Sequence, residues 1–145
     1  MTTKISARQA IRNAVEAELA AARFYELLSE STGDVESRAF LAELAEQEIL
    51  HARAIEAKGI EIAGGPLPAR AEGEVEMIET LPEWRFADDL TLAQALDIAF
   101  EAETQASMYY DAFADYLEGA GKEFFAELAR VEAEHAAAVA KRRAR

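Results

Sequence analysis

The sequence predicts an all-α protein, a four-helix bundle made of two repeated helical hairpins joined by a long crossover. Three observations predict it. Apolar residues recur at three- and four-residue spacing along four long segments, which is the period of a helix with one buried face. Glycine and proline fall between those segments rather than within them. The second half of the chain also repeats the first: Ala10-Ile11 through Glu16-Ala17-Glu18 to Phe24-Tyr25 aligns with Ala95-Leu96 through Glu101-Ala102-Glu103 to Tyr109-Tyr110, at an offset of 85 residues. Phe40-Leu41-Ala42-Glu43-Leu44-Ala45 aligns with Phe124-Phe125-Ala126-Glu127-Leu128-Ala129 at an offset of 84. A repeat of that length is a supersecondary unit, here a hairpin of two helices.

The elements follow in order. The first helix opens at Ser6, with Gln9 three residues on as a capping-box partner, and runs to about Ser31, where Gly33 breaks it. Asp34 is a suitable N-cap for the second, which carries Leu41, Leu44, Glu48, His51 and Ile55 on one stripe and is expected to end at Gly59. The third opens at Thr91 with Gln94 as its capping-box partner and is expected to run to Leu117 or Glu118, stopped by Gly119 and Gly121. The fourth runs from about Lys122 to the C-terminus, where Lys141, Arg142, Arg143 and Arg145 put positive charge at the negative end of the helix dipole. The expected division of this single domain, 1–145, is a hairpin over 6–58, a connector over 59–90 and a hairpin over 91–143. Gly64-Gly65-Pro66-Leu67-Pro68 and Leu81-Pro82 forbid one continuous helix through the connector. Its Trp84 and Phe86 are expected to anchor it by packing on the bundle.

Composition removes whole classes of function. A chain of 145 residues is long enough to bury one core without covalent staples. It has no cysteine, so disulfides, thiolate zinc sites, iron–sulfur clusters and cysteine nucleophiles are excluded. A formal net charge of -13 argues against nucleic acid or an anionic membrane as partner, since either needs a basic face. No apolar signal segment and no membrane-spanning run is present, and the expected compartment is the cytoplasm.

The chemistry sits where the apolar stripes are interrupted. On the first helix Ile11, Val15, Glu18, Ala22, Tyr25 and Leu28 or Ser29 share a face; on the third, Leu96, Ala99, Glu103, Ala106 and Tyr110 do. The second carries Glu48 and His51 among Leu41, Leu44 and Ile55, and the fourth carries Glu132 and His135 among Phe125, Leu128 and Val139. One Glu, then Glu-x-x-His, occurs twice over and uses both histidines of the chain. That is the ligand set which di-iron and di-manganese carboxylate proteins build inside a four-helix bundle. Two unit charges about 4 Å apart repel by roughly 4 kcal/mol even at an effective dielectric near 20. Four carboxylates aimed at one core must therefore take up protons or bind cations.

Calcium and magnesium prefer all-oxygen shells, and structural zinc usually closes a tetrahedron with sulfur or nitrogen. Mixed imidazole and carboxylate ligation with open positions suits non-haem iron. The expected cofactor is two iron ions, with manganese as the alternative. Glu48 and Glu132 are expected to bridge them, Glu18 and His51 to complete one ion, and Glu103 and His135 the other. Tyr25 and Tyr110 are placed either to hydrogen-bond to these carboxylates or simply to fill the core. Glu16 and Glu101 also repeat, but they lie about 160° from the ligand face by helical geometry and are expected at the surface.

Through Glu18 with Phe24-Tyr25, Glu48 to His51, Glu103 with Tyr109-Tyr110, and Glu132 to His135, the chain resembles the rubrerythrin branch of the ferritin-like superfamily. The resemblance spans both hairpins. It implies a di-iron centre that reduces hydrogen peroxide, or dioxygen, with an external electron donor. The alternative it implies is a ferroxidase that oxidises and sequesters ferrous iron, and a metal-free helical scaffold is the third reading. Rubrerythrins proper carry a cysteine-bearing electron-transfer domain, and this sequence has no cysteine. It also has Ala106 where they carry a further glutamate, and in this its set resembles the six-ligand one of bacterioferritin and related oxidases. A homodimer or larger homo-oligomer is compatible with this family.

Overall fold

The computed structural model describes residues 7–69 and 91–144. Those residues form four helices and no strand: α1 (Ala7–Ser31), α2 (Val35–Ala63), α3 (Leu92–Ala114) and α4 (Gly119–Arg143). Helix α1 packs along α2 and α3 along α4, giving two hairpins, and α2 touches α4 across the bundle.

Directions follow from the contacts. Arg142 near the end of α4 reaches Asp34 (3.3 Å) and Glu36 (3.5 Å) at the start of α2, and Arg143 bonds Asp97 (2.8 Å) near the start of α3. Helix α4 is thus antiparallel to both. Its basic last turn is held by acids on two neighbouring helices as well as by its own dipole. Gly64 and Thr91 consequently lie at opposite ends of the bundle, as a crossover connection requires.

The caps explain the boundaries, including three that differ from expectation. Asp34 accepts from the Ser37 amide at 3.0 Å, and Thr91 forms a full capping box with Gln94. Helix α2 does not stop at Gly59. It continues to Ala63 and ends on Gly64, whose φ of 71° is left-handed and whose amide turns back to Glu61 and Ile60. Gly59 is in the helix because α1 comes close there: a Cβ on it would lie 2.3 Å from Ile11 Cγ2.

Helix α3 ends at Ala114, short of Leu117, because the chain tightens into three-residue hydrogen bonds from Asp115 to Ala112, Tyr116 to Phe113 and Leu117 to Ala114. Gly119 and Gly121 belong to the first turn of α4 rather than to the stop of α3. Gly119 takes the left-handed conformation (φ 62°), and Gly121 brings that turn against Ile62 and Leu117. The Ser6 cap, Trp84 and Phe86 lie outside the described residues. Gln9 donates to Asn13 Oδ1 at 2.9 Å.

The core falls into two apolar layers. One contains Ile11, Val15, Ile55, Tyr110, Phe125 and Leu128; the other contains Phe24, Tyr25, Leu28, Leu41, Leu44, Leu96 and Val139. Between them, along every helix, stand the residues of the candidate site. No helix among the described residues is long and apolar enough to cross a membrane.

Candidate metal centre

Each helix delivers its polar residue to the same level of the bundle. Glu18, Glu48 and Glu132 are fully buried and Glu103 is 1% exposed, among the most deeply buried side chains of the protein. The spacing within each helix explains the placement. Glu48 and His51 are three residues apart, as are Glu132 and His135, so each pair emerges from one face nearly in line. The alanines one turn away, Ala45, Ala52, Ala99, Ala106, Ala129 and Ala136, are all buried, and their small size leaves room for carboxylates between packed helices.

One donor atom from each of Glu48, His51, Glu132 and His135 lies within 4.8 Å of the others. His135 Nδ1 stands 3.1 Å from Glu48 Oε1, 3.8 Å from Glu103 Oε2 and 3.9 Å from Glu132 Oε2. His51 Nδ1 is 3.4 Å from Glu132 Oε1. The two imidazoles stack with centroids 5.1 Å apart and planes 13° from parallel. Both rings therefore turn Nδ1 inward, and they form the least buried wall of the site, with side-chain exposures of 21% for His51 and 11% for His135.

The tyrosines resolve the alternative left open by the sequence. Tyr25 on α1 donates to Glu103 Oε1 on α3 at 2.6 Å, and Tyr110 on α3 donates to Glu18 Oε1 on α1 at 2.8 Å. Each hairpin thus orients the lone glutamate of the other. The exchange requires α1 and α3 to be antiparallel, with Glu of one level with Tyr of the other. Glu16 and Glu101 lie off the site: Glu16 pairs at the rim with Arg12 (3.8 Å), and Glu101 is exposed.

Electrostatics show what the cluster lacks. Glu18 Oε2, Glu103 Oε2, His51 Nδ1 and both oxygens of Glu132 are buried without a hydrogen bond of good geometry. Burial pushes the Glu132 carboxyl well above the usual range, and the charges of Glu103, Glu18 and Glu48 push it further. Burial also raises Glu103, but its contacts with Glu132, His135 and Tyr25 outweigh that and hold it down to about 2. The two carboxyls behave as a coupled pair in which Glu132 keeps the proton.

Burial lowers His51, partly opposed by the charge of Glu18. For His135 burial is likewise the largest influence, yet the hydrogen bond and charge of Glu103, with Glu18 and Glu134, raise it overall. Unbonded carboxylate oxygens facing inward-turned imidazole nitrogens, with no lysine or arginine buried beside them among the described residues, fit a pair of divalent transition-metal ions. Of the six residues expected from the sequence, Glu48, His51, Glu132 and His135 converge within 4.8 Å, Glu103 reaches His135 at 3.8 Å, and Glu18 is buried and held by Tyr110. The sequence could not name the cross-hairpin exchange, for which its one signal was the repeated seven-residue Glu-to-Tyr spacing.

Fold and cluster together define a class: an all-α four-helix bundle whose buried glutamates and histidines form a group able to hold metal. A family model described as Rubrerythrin matches residues 94–144, nearly all of α3 and α4. The match shows that the second hairpin is similar to rubrerythrin. Neither the comparison with curated proteins nor that with solved structures finds a match.

Proposed function

We propose that the chain is a cytoplasmic di-iron oxidoreductase that reduces hydrogen peroxide or dioxygen with electrons from an external donor. The observation that supports this best is the cluster of four buried carboxylates shared among four helices with two imidazoles, in which Glu18, Glu103 and Glu132 keep buried oxygens without a hydrogen bond of good geometry. Glu18, Glu48, Glu103 and Glu132 with His51 and His135 would hold the ions, and Glu48 and Glu132, each beside a histidine of the other hairpin, would be the ligands common to both. When bound, a ferrous pair supplies two electrons to a peroxidic O–O bond, the number that takes hydrogen peroxide to water.

The chain's own residues define the surroundings of that reaction. Tyr25 and Tyr110 hold the terminal carboxylates in fixed orientation from the opposite hairpin. Above and below, the two apolar layers exclude bulk water. The stacked His51 and His135 rings leave the side between α2 and α4 as the most exposed approach for a small oxidant.

A second reading has its own observation. Ala106 is fully buried on the ligand face of α3, one turn from Glu103, and contributes no carboxylate there. That favours a ferroxidase, with ferrous iron as substrate and dioxygen as oxidant.

Elemental analysis of protein loaded anaerobically with ferrous iron tests the common part of both readings. The expected result is two ions per chain, with both weakened by Glu48→Ala or Glu132→Ala. One ion or fewer overturns the assignment. Steady turnover of peroxide with a donor then supports the peroxidase, and net accumulation of ferric iron supports the ferroxidase.

A further inference from the structure

The candidate site is the least favourable place for the two hairpins to meet, because four carboxylates converge there. Contacts away from the site must hold the halves together before a cation arrives, and the two ends of the bundle do this differently. Where α2 finishes and α4 starts, the contact is apolar: a Cβ on Gly121 would stand 3.5 Å from Ile62 Cγ2. Lys58 and Glu118 belong to the same end but do not join the hairpins. Lys58 pairs with Glu61 of its own helix at 3.6 Å, and Glu118, the N-cap of α4, makes no side-chain capping bond.

At the opposite end the repeat, at its offset of 84, puts Arg142 in place of Lys58 and Asp34 in place of Glu118, and here the two meet. The Arg142 guanidinium lies over the Phe40 ring, 5.8 Å from its centroid. It donates to Ser37 Oγ (3.1 Å), Asp34 Oδ2 (3.3 Å) and Glu36 Oε2 (3.5 Å), all at the start of α2. Hydrogen bonds from the Ser37 hydroxyl and amide, helped by Arg142, hold the Asp34 carboxyl below its ordinary value, so this end of the clamp stays charged. Among the described residues no other ion pair outside the site joins the hairpins. The adjacent Arg143 makes a similar bond, but to Asp97 on α3, inside its own hairpin.

We propose that Arg142 is a positioning residue for the metal site: by clamping the end of α4 to the start of α2, it keeps Glu132 and His135 in register with Glu48 and His51 while the protein is metal-free. This rests on the di-metal reading above. Arg142 lies roughly 10 Å of helix beyond His135, so it acts through the helices and not on the ions. Cations bind the docked hairpins, so the apparent affinity is the intrinsic one scaled by the docked fraction. A clamp made of ion pairs near the surface loosens as salt rises. Metal uptake is thereby tied to ionic strength through the last turn of α4.

The test is anaerobic ferrous binding to the full chain, by competition with a chromophoric chelator, at low and at high salt. Arg142→Gln and Arg143→Gln are compared with the unaltered chain. Both substitutions make the protein more negative by the same amount, so general attraction of cations would strengthen binding in both alike. The clamp predicts a split. At low salt Arg142→Gln should bind about five-fold more weakly than the unaltered chain, and Arg143→Gln at least as tightly. At high salt the two variants should converge.

Amide hydrogen exchange of the metal-free proteins gives a second readout. Arg142→Gln should speed exchange in the turns of α2 and α4 that face the site, whereas Arg143→Gln should speed it only at the start of α3 and the last turn of α4. Equal affinity in the two variants, or equal exchange at the site turns, overturns the clamp and leaves the di-metal reading standing. An unaltered chain that takes up no ferrous iron overturns the di-metal reading and, with it, the role assigned to Arg142.

Discussion

Divalent metal should stabilise this fold strongly, because the site exists only when all four helices are assembled. Without metal the structure keeps four carboxylates in the core, and Glu132 is pushed towards the protonated form by burial and by Glu103, Glu18 and Glu48. An ion that binds the folded chain and not the unfolded one adds RT ln(1 + [L]/Kd), about 2.7 kcal/mol at a hundred-fold excess over Kd, so two sites add roughly 5 kcal/mol. Unfolding entropy near 2.1 cal/mol/K per residue gives about 0.3 kcal/mol/K for a chain of 145 residues, so the midpoint should rise by roughly 15 °C.

Differential scanning calorimetry with and without ferrous or manganous ion, and again after chelation, measures this. Glu132→Leu provides the control. It removes the acid whose burial is least compensated, so the metal-free variant should melt no lower than the parent and the metal-dependent rise should largely vanish. An unchanged midpoint at saturating metal, or a full rise retained in Glu132→Leu, refutes the argument that the buried carboxylates are what the metal binds.

Three further outcomes follow from the same geometry. Tyr25→Phe should destabilise the metal-free protein by about 1.5–3 kcal/mol in urea titrations, the usual worth of a buried hydrogen bond to a charged group, because Glu103 Oε1 loses its phenol donor; a loss below about 0.5 kcal/mol would show the contact to be incidental. Metal loading near neutral pH should acidify a weakly buffered solution, since Glu132 and His135, both shifted upward, hold protons that a ligand must lose, and affinity should therefore fall as pH falls. Ala106→Glu should raise the rate with peroxide in stopped-flow oxidation of the diferrous protein; an unaltered chain that already prefers peroxide strongly over dioxygen would show that the missing carboxylate does not set oxidant choice.

Much of this was legible because polar residues on apolar helical stripes are expensive and therefore conspicuous. Glu18, Glu48, Glu103 and Glu132 could be singled out from 28 acids by their stripes alone, and the structure buries all four. Glycine misled where its reason was contact rather than conformation. Gly59 reads as a stop but sits mid-helix because Ile11 leaves no room for a Cβ, a fact that depends on another helix. Gly119 and Gly121 read as the end of α3 but open α4, since a left-handed residue can sit at either side of a tight connection. Periodicity within a helix also says nothing of register between hairpins. The exchange of Tyr25 to Glu103 and Tyr110 to Glu18 is a property of their docking, invisible until the two are placed together.

That docking has a consequence for how the protein holds together. Packing is far heavier within each hairpin than between them. At the level of the site, the hairpins meet through the two Tyr-to-Glu hydrogen bonds and through His135 reaching Glu48 and His51 reaching Glu132, each contact crossing from one half to the other. Every one of those contacts ends on a buried carboxylate, so the middle of the interface is also where like charges repel. Neither half carries more than one Glu-x-x-His motif and one further core glutamate, so neither can build a two-ion site alone. Two divalent ions would turn that repulsion into attraction between the halves. Metal binding and hairpin docking would then be one equilibrium, and amide hydrogen exchange should locate its effect: metal should slow exchange most on the facing turns around Glu18, Glu48, Glu103 and Glu132, and a slowing confined to the helix ends would place the ions elsewhere.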